Sequence, residues 1–289
     1  MNKWVLGARP KTLPAAIAPV VTATALAYHL KSDLNWLNAL LSLVVGLLLQ
    51  IGVNYSNDYS DGIKGTDTNR VGPIRLVASG LASAKSVKNA AIVSYSVAAL
   101  AGLLLSIRTN PILILFGFLA ILAAWFYTGG KNPYGYRGLG DVSVFIFFGL
   151  VATVGTFYVE TRSLSFWALL LGVQMGLFSC AILAVNNLRD LPKDKEAGKR
   201  TLAVRFGDLG ARKYLNALLL LALLIQIAFL KLTYVAIIPI LLLPYGLRIS
   251  KKIRMGLKGA ELIPLLGEIA KIQTLASLWI TISLIFGKA

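Results

Sequence analysis

The sequence predicts an all-α, multi-pass membrane protein with about nine helices in one domain, residues 1–289. Of the 289 residues, 57% are hydrophobic and 14% are charged, against roughly 25% charged residues in a typical soluble domain. The apolar residues are gathered into long runs, and a spanning helix needs roughly 17–25 of them. Nine runs meet or approach this length, at residues 13–30, 35–57, 89–107, 111–128, 141–160, 164–188, 213–230, 232–248 and 271–287.

Prolines make two of these nine elements irregular. The first run contains Pro14 and Pro19, so we expect a kinked or broken helix, which membrane proteins tolerate. The eighth run is the shortest and contains Pro239 and Pro244, so the count of nine could become eight. The other seven runs are continuous, and each is predicted to cross the membrane once.

The basic residues predict the orientation of these helices. With the N-terminus in the cytoplasm, 24 of the 29 Lys and Arg residues fall in cytoplasmic segments and five fall on the other side. Such an asymmetry is typical of membrane proteins. The net charge of +17 is therefore explained mainly by topology and by contact with anionic lipid headgroups, and it does not indicate nucleic-acid binding. A single cysteine, Cys180, excludes an internal disulfide.

The most informative pattern is a carboxylate motif that occurs twice, each time at the end of an apolar run. Asn57 and Asp61 lie 129 residues before Asn186 and Asp190. This offset also suggests an internal pseudo-repeat, with the site between the two halves. Only 12 residues in the chain are acidic, and five of them lie in these two stretches: Asp58, Asp61, Asp67, Asp190 and Asp194.

Helical spacing predicts what these acids can bind. Asn57 and Asp61 are four residues apart and share a helix face, and Asn186, Asp190 and Asp194 form a second stripe if the helix continues past Pro192. Their hard oxygen atoms suit Mg²⁺, which usually takes one or two carboxylates and completes its shell with substrate phosphate oxygens. The sequence therefore predicts two Mg²⁺ half-sites, with two ions, that face each other across a diphosphate.

Basic and aromatic residues accompany the acids. The basic residues that could stabilise a departing diphosphate are Lys64, Arg70, Arg75, Lys131, Arg137, Arg189 and Lys193. A loop at residues 127–141 contains five glycines, together with Tyr127, Tyr134 and Tyr136, whose faces can stabilise a cation. A diphosphate site within reach of lipid suggests a polyprenyl diphosphate, whose ionisation produces an allylic carbocation for an electron-rich acceptor.

These motifs resemble those of the UbiA superfamily of intramembrane prenyltransferases. The resemblance rests on the first carboxylate motif with Asp67, on Tyr127-x-x-x-Lys131, and on the second motif through Asp194. Further blocks resemble the branch that prenylates 1,4-dihydroxy-2-naphthoate in menaquinone synthesis, and they lie at residues 8–14, 57–67, 72–75, 133–141, 186–190 and 198–205.

The resemblance implies a nine-helix bundle, Mg²⁺ dependence, and two substrates, a polyprenyl diphosphate and 1,4-dihydroxy-2-naphthoate. It implies that Asp58, Asp61, Asp67, Asp190 and Asp194 hold the metal and the diphosphate, with Asn57 and Asn186 beside them. Lys131 is implied as a diphosphate contact, with Tyr127 as its motif partner. Arg9, Lys11 and Arg137 are candidates for the naphthoate carboxylate. The implied location is the bacterial cytoplasmic membrane, with the site facing the cytoplasm.

Other readings remain open at this point. The acceptor could be homogentisate, 4-hydroxybenzoate, haem or a lipid headgroup, and the donor could be phytyl diphosphate, as for phylloquinone. A cation-coupled transporter would use the acids as ion ligands, but such sites lie near the middle of the membrane, whereas both motifs are predicted at helix ends. A purely structural membrane protein would not need the paired motifs.

Overall fold

The computed structural model describes residues 2–65 and 74–287, and every regular element in these two ranges is a helix. The α-helices are α1 (Lys3–Ala8), α2 (Pro14–Lys31), α3 (Trp36–Ile63), α4 (Ala84–Arg108), α5 (Ile112–Phe126), α6 (Gly140–Val144), α7 (Ala152–Thr161), α8 (Phe166–Glu196), α9 (Leu202–Ile225), α10 (Ile237–Ile240), α11 (Leu243–Arg254) and α12 (Leu262–Phe286). A π-helical segment, Phe145–Val151, joins α6 and α7 into one span.

The predicted spans correspond to these helices, with differences where prolines or short lengths intervene. Seven helical spans in the described residues are long and apolar enough to cross a membrane, and the α1–α2 pair, bent by 53°, makes an eighth. The remaining predicted span, at residues 111–128, corresponds to α5. This helix has 15 residues and is about 22 Å long, shorter than the roughly 30 Å hydrocarbon core. The span with Pro239 and Pro244 is interrupted: α10 has four residues, and α11 begins at Leu243.

Helix α8 lies at the centre of the bundle. Two thirds of its apolar window is buried inside the protein, and it packs against α9, α12, α2 and the π-helical segment. Small residues allow the closest approach: a Cβ on Gly149 would lie 2.6 Å from the Cα of Gly176 on α8, as is typical of membrane helix contacts. A smaller core joins α3, α4 and α1 around Tyr55, Leu76 and Tyr95.

The loops gather at two ends of the bundle, in the groups that the basic residues predict. At one end, the C-terminal turns of α3 and α8 lie beside the loop between α5 and α6. At the other end, Arg162 donates to the carbonyls of Thr109 and Arg108, and the Asn35 amide donates to Glu160. We call the first the motif end and the second the far end. Which end faces the cytoplasm, and whether the two halves form a repeat, stay predictions.

Candidate active site at the motif end

Both carboxylate motifs lie inside helices, in their final turns. Helix α3 continues to Ile63 and α8 to Glu196, several residues beyond the apolar runs. Pro192 does not end α8, which continues for four residues beyond it to Glu196, although a proline removes one hydrogen bond within the helix. Asn186, Asp190 and Asp194 therefore share one stripe of α8, as predicted.

The Asp61 carboxylate is buried between a tyrosine and an arginine. The Tyr136 hydroxyl donates to its Oδ1 at 2.5 Å, and Arg75 Nη2 lies 3.7 Å from its Oδ2. Asp61 and Arg75 are each less than 10% exposed. A carboxylate is tolerated in this position because charged and hydrogen-bonding partners surround it.

The Asp58 carboxylate is fully buried and holds the chain that follows α3. Its Oδ2 accepts from the Leu76 amide at 2.7 Å, and its Oδ1 accepts from the Val77 amide at 3.0 Å. These bonds fix the turn that carries the neighbouring Arg75. Asp58, which the sequence predicts as a metal ligand, thus has a structural role in this fold. Its role as a metal ligand stays a prediction.

Tyr136 connects the two motifs. Its ring lies 5.2 Å from Lys64 Nζ and 4.4 Å from Lys199 Nζ, distances typical of cation–π contacts. Lys199 Nζ also lies 3.5 Å from Asp194 Oδ1. The hydroxyl of Tyr136 thus contacts the first motif, while its ring contacts a lysine that pairs with the second.

The backbone supports this connection. The Arg200 amide donates to the Tyr136 carbonyl at 2.6 Å, and the Arg205 guanidinium donates to the Arg137 carbonyl. Gly138 lies under these contacts with φ +82°, and a Cβ there would lie 2.8 Å from the Arg200 carbonyl oxygen. Glycine is therefore required at this turn.

The remaining motif residues have local partners. Arg189 binds Asp190 in a bidentate pair, with both N–O distances at 2.7 Å. Asn57 accepts from the Thr128 hydroxyl at 2.8 Å, and the Asn186 amide group donates to Ile182 of its own helix. Arg189 thus places a guanidinium against the second motif, whereas the two asparagines bond to a hydroxyl and a backbone carbonyl.

The tyrosines at residues 127 and 134 brace the loop between α5 and α6. Tyr134 donates to the Ala123 carbonyl at 2.7 Å, and its ring packs edge-on against Tyr127, with the centroids 5.5 Å apart. The Gly135 amide donates to the Tyr127 carbonyl. In contrast, the side chains of Lys131 and Arg137 are exposed at the rim.

The N-terminal segment is fixed against α3, one turn before Asn57. Asn54 donates to the Ala8 carbonyl at 2.9 Å and to the Thr12 hydroxyl at 3.1 Å. Between them, Arg9 adopts φ +52° and interacts electrostatically with the Asp58 carboxylate. Arg9 is therefore held beside the first motif, whereas Lys11 is exposed.

The donor chemistry of the site fits Mg²⁺. Within residues 2–65 and 74–287, no three His, Cys, Asp or Glu side chains come together. Mg²⁺ nevertheless needs only one or two carboxylates when phosphate oxygens supply the rest. Asp61 on α3 and the Asp190–Asp194 stripe on α8 offer such sets, and Asp67 and Arg70 lie outside the described residues.

Sequence reasoning missed two residues of this arrangement. Lys199 received no role of its own, since it lies only within the block at residues 198–205, and Tyr136 was predicted only as one of three tyrosines whose faces can stabilise a cation. Both signals were local, a lysine after the second motif and a tyrosine between glycines. Only the meeting of the two loops shows that these side chains contact each other.

Comparisons with known proteins agree on one family. Residues 16–255 match the model of the UbiA prenyltransferase family. The chain is 46% identical to a 1,4-dihydroxy-2-naphthoate octaprenyltransferase of Mycobacterium tuberculosis, covering 99% of this chain and 98% of that protein. It is 38% identical to the Haemophilus influenzae protein of the same name, covering 99% and 97%. A UbiA homolog from Archaeoglobus fulgidus, bound to GPP and Mg²⁺, superposes with a TM-score of 0.71 at 15% identity, over 98% of this chain and 99% of that one.

Proposed function

The chain belongs to the UbiA prenyltransferase family, and on this premise we propose that it prenylates 1,4-dihydroxy-2-naphthoate. The donor is an allylic polyprenyl diphosphate. The prenyl group replaces the carboxylate of the acceptor with loss of CO₂, which gives demethylmenaquinol and, after oxidation, demethylmenaquinone, in menaquinone biosynthesis. Two relatives that carry this activity in their names, at 46% and 38% identity over nearly the full chain, support the choice of acceptor.

The observation that carries the proposal is the joining of the two motifs at one end of the bundle. Tyr136 contacts Asp61 through its hydroxyl and Lys199 through its ring, and Lys199 pairs with Asp194. A site with carboxylates from two helices and several basic side chains suits a diphosphate. The basic side chains can bind its negative charge, and the carboxylates can hold metal ions that also bind the phosphate oxygens. A transporter site near the middle of the membrane does not fit this placement.

We assign Mg²⁺ to the two acid stripes. Asp61 with Asn57, and Asp190 and Asp194 with Asn186, would hold two ions, and Asp67 is a further proposed ligand. When bound, Mg²⁺ neutralises the charge that develops on a departing diphosphate. The Archaeoglobus fulgidus homolog, whose structure is bound to GPP and Mg²⁺, supports metal dependence.

The cations at the motif end would hold the diphosphate. Lys64, Arg75 and Lys199 lie around Tyr136 and Asp61, and Arg189 lies against Asp190. Arg70 and the exposed Lys131 are further candidates. Their role is to stabilise the leaving group as negative charge accumulates on it.

The carbocation and the acceptor require different groups. The faces of Tyr127 and Tyr134 are candidates for stabilising the allylic cation. For the naphthoate carboxylate we propose Arg9, because Asn54 and Thr12 fix its backbone beside the first motif, with the exposed Lys11 and Arg137 as secondary contacts. The apolar prenyl tail would lie among the membrane helices, and we propose the bacterial cytoplasmic membrane as the location, with the motif end inside.

The test is prenyl transfer by purified protein in lipid, supplied with 1,4-dihydroxy-2-naphthoate, a polyprenyl diphosphate and Mg²⁺. We expect demethylmenaquinone by mass spectrometry, no product after EDTA treatment, and none from the Asp61→Asn, Asp190→Asn double variant. Glu261→Gln, an exposed carboxylate outside the site, serves as the control and should retain activity.

Two other outcomes would change the conclusion. Release of diphosphate without a naphthoate product would keep the ionisation chemistry and redirect the acceptor to 4-hydroxybenzoate or homogentisate, or the donor to phytyl diphosphate. A folded protein that neither releases diphosphate nor forms product would contradict the prenyltransferase assignment.

A further inference from the structure

A cavity of about 490 Å³ opens at the far end, away from the carboxylate motifs. It lies where the ends of α2, α4 and α7 meet, beside the loop between α2 and α3. Its volume falls within the roughly 300–1,000 Å³ of small-molecule sites, so it has room for more than a single ion. Eight of the ten residues that line it are polar or charged, and only Leu34 and Val159 are apolar.

Five charged side chains line this cavity. They are Lys31, Asp33, Arg108, Glu160 and Arg162. Within the described part of the chain, no two of them lie within 4.0 Å as an ion pair. Arg108 instead donates to the Asn38 side chain at 3.1 Å, and Arg162 donates to backbone carbonyls. Three cations and two anions thus face the same space without direct ion pairs among the described residues.

Glu160 has an unused acceptor. Its Oε2 accepts from the Asn35 amide at 3.0 Å, but its Oε1 is buried and has no hydrogen-bond partner among the described residues. A buried carboxylate oxygen without a donor is costly. A ligand with a strong hydrogen-bond donor would remove this cost.

Large exposed apolar residues follow the lining residues in the sequence. Trp36 follows the lining residue Asn35, and Leu164 and Phe166 follow Arg162; their side chains are 69–76% exposed. Aromatic and large apolar residues at this level of a membrane protein mark the boundary between lipid and water. We therefore expect an apolar surface near the cavity that acyl chains can contact.

We propose that the cavity binds the headgroup of an aminophospholipid. Its phosphate would contact Arg108 and Lys31, since guanidinium and ammonium groups bind phosphate well. Its primary ammonium would donate to Glu160 and Asp33, and its acyl chains would lie against Trp36, Leu164 and Phe166. A zwitterion satisfies both sets of charges, whereas a simple anion or cation satisfies only one.

The experiment compares lipids that differ only in the headgroup. Detergent-purified protein is titrated with dioleoyl phosphatidylethanolamine, phosphatidylcholine or phosphatidylglycerol, and bound lipid is counted by native mass spectrometry. Phosphatidylethanolamine should bind most tightly, because the quaternary ammonium of phosphatidylcholine cannot donate a hydrogen bond and phosphatidylglycerol has no cation. Soluble glycerophosphoethanolamine is included as a competitor and should compete poorly, because it lacks acyl chains.

Three variants test the assigned contacts. Glu160→Gln should weaken binding of phosphatidylethanolamine about tenfold, as expected for loss of a charged acceptor, and should remove its advantage over phosphatidylcholine. Lys31→Gln, at an exposed position, should weaken all three lipids, because all carry phosphate. Glu261→Gln, an acid outside the cavity, should change nothing.

Two results would overturn the proposal. One is equal affinity for the three lipids together with unchanged lipid binding by Lys31→Gln. Because Lys31 is exposed, this variant should fold and give a result even if Glu160→Gln unfolds the protein. The other is competition by glycerophosphoethanolamine as strong as by the lipid itself, which would identify a soluble phosphoamine as the ligand.

Discussion

At the scale of single residues, Tyr136 is the side chain on which the two halves of the proposed site depend. It uses its hydroxyl for Asp61 and its ring for Lys64 and Lys199. A phenylalanine at this position would keep the ring contacts and lose the hydrogen bond. A leucine would lose both, so the two substitutions separate the two contributions.

We predict that Tyr136→Phe lowers kcat/KM for prenyl transfer by roughly 10- to 150-fold, since a hydrogen bond to a charged group contributes roughly 1.5–3 kcal/mol. Tyr136→Leu should lower it further. Steady-state kinetics at varied donor concentration provide the measurement. Tyr158→Phe is the matched control, because the Tyr158 hydroxyl is bonded to Asn110 at the far end. Native kinetics in Tyr136→Leu would contradict the role of this residue.

Asp58 presents the opposite case, a motif residue whose visible partners are backbone amides. In Asp58→Asn, the side-chain oxygen can still accept from one of the two backbone amides. The side-chain NH₂ group then faces the other backbone amide, which loses its acceptor. We predict that it lowers the free energy of unfolding by about 1–3 kcal/mol, measured by thermal unfolding in detergent.

The same measurement applies to Asp190→Asn. The Asp190 side chain is 13% exposed and pairs with the buried Arg189, so this variant should lose activity and also melt at a lower temperature, because the buried guanidinium loses its charged partner. If Asp58→Asn instead melts like the native protein and only needs more Mg²⁺ for half-maximal activity, Asp58 is a ligand and the anchoring role is wrong.

At the scale of elements, the close contact between the π-helical segment and α8 depends on glycine. A Cβ on Gly149 would lie 2.6 Å from Gly176 Cα and 2.7 Å from the Gly172 carbonyl oxygen. Because these neighbours are backbone atoms of a central helix, they cannot move aside locally.

We therefore predict that Gly149→Ala destabilises the protein by roughly 1–3 kcal/mol, seen as a lower midpoint of thermal unfolding. Gly155→Ala, in α7 of the same span, is the control, since nothing lies within 4 Å of a Cβ there. It should be neutral or slightly stabilising, because alanine favours a helix. Equal midpoints for both variants would show that the two helices can separate without cost.

The element boundaries show where sequence reasoning succeeded. The apolar runs predicted the location of the spans, because burial in lipid requires about 20 apolar residues in a row. They did not predict that α3 and α8 continue to Ile63 and Glu196, since polar residues at a helix end outside the hydrocarbon carry no hydropathy signal. Helical spacing of the acids indicated this continuation better than hydropathy did.

At the scale of the whole molecule, the two ends differ in chemistry. The motif end carries the carboxylate motifs and most of the basic loops, and the far end carries a cavity with five charges that form no ion pairs in the described chain. The excess of basic residues predicts that the motif end faces the cytoplasm. Soluble naphthoate would reach the site from that side.

Cysteine labelling tests this orientation. Cys180 is buried and gives a low background. We predict that Lys231→Cys, which ends the span that begins with α9, at the far end, reacts with a membrane-impermeant maleimide in spheroplasts, whereas Lys195→Cys at the motif end reacts only after the membrane is permeabilised. Both native side chains are exposed. The reverse pattern would invert the proposed topology.

The sequence by itself determined the membrane-spanning fold, the family resemblance and the residues of both acid stripes, because these depend on hydropathy, periodicity and spacing within single segments. The tertiary structure decided which segments meet. Tyr136 reaches Asp61 from 75 residues away, Leu76 and Val77 cap Asp58, and Glu160 faces Asn35 from 125 residues away. Such contacts depend on how the helices pack and where their loops converge, and a side chain's local sequence does not contain that information.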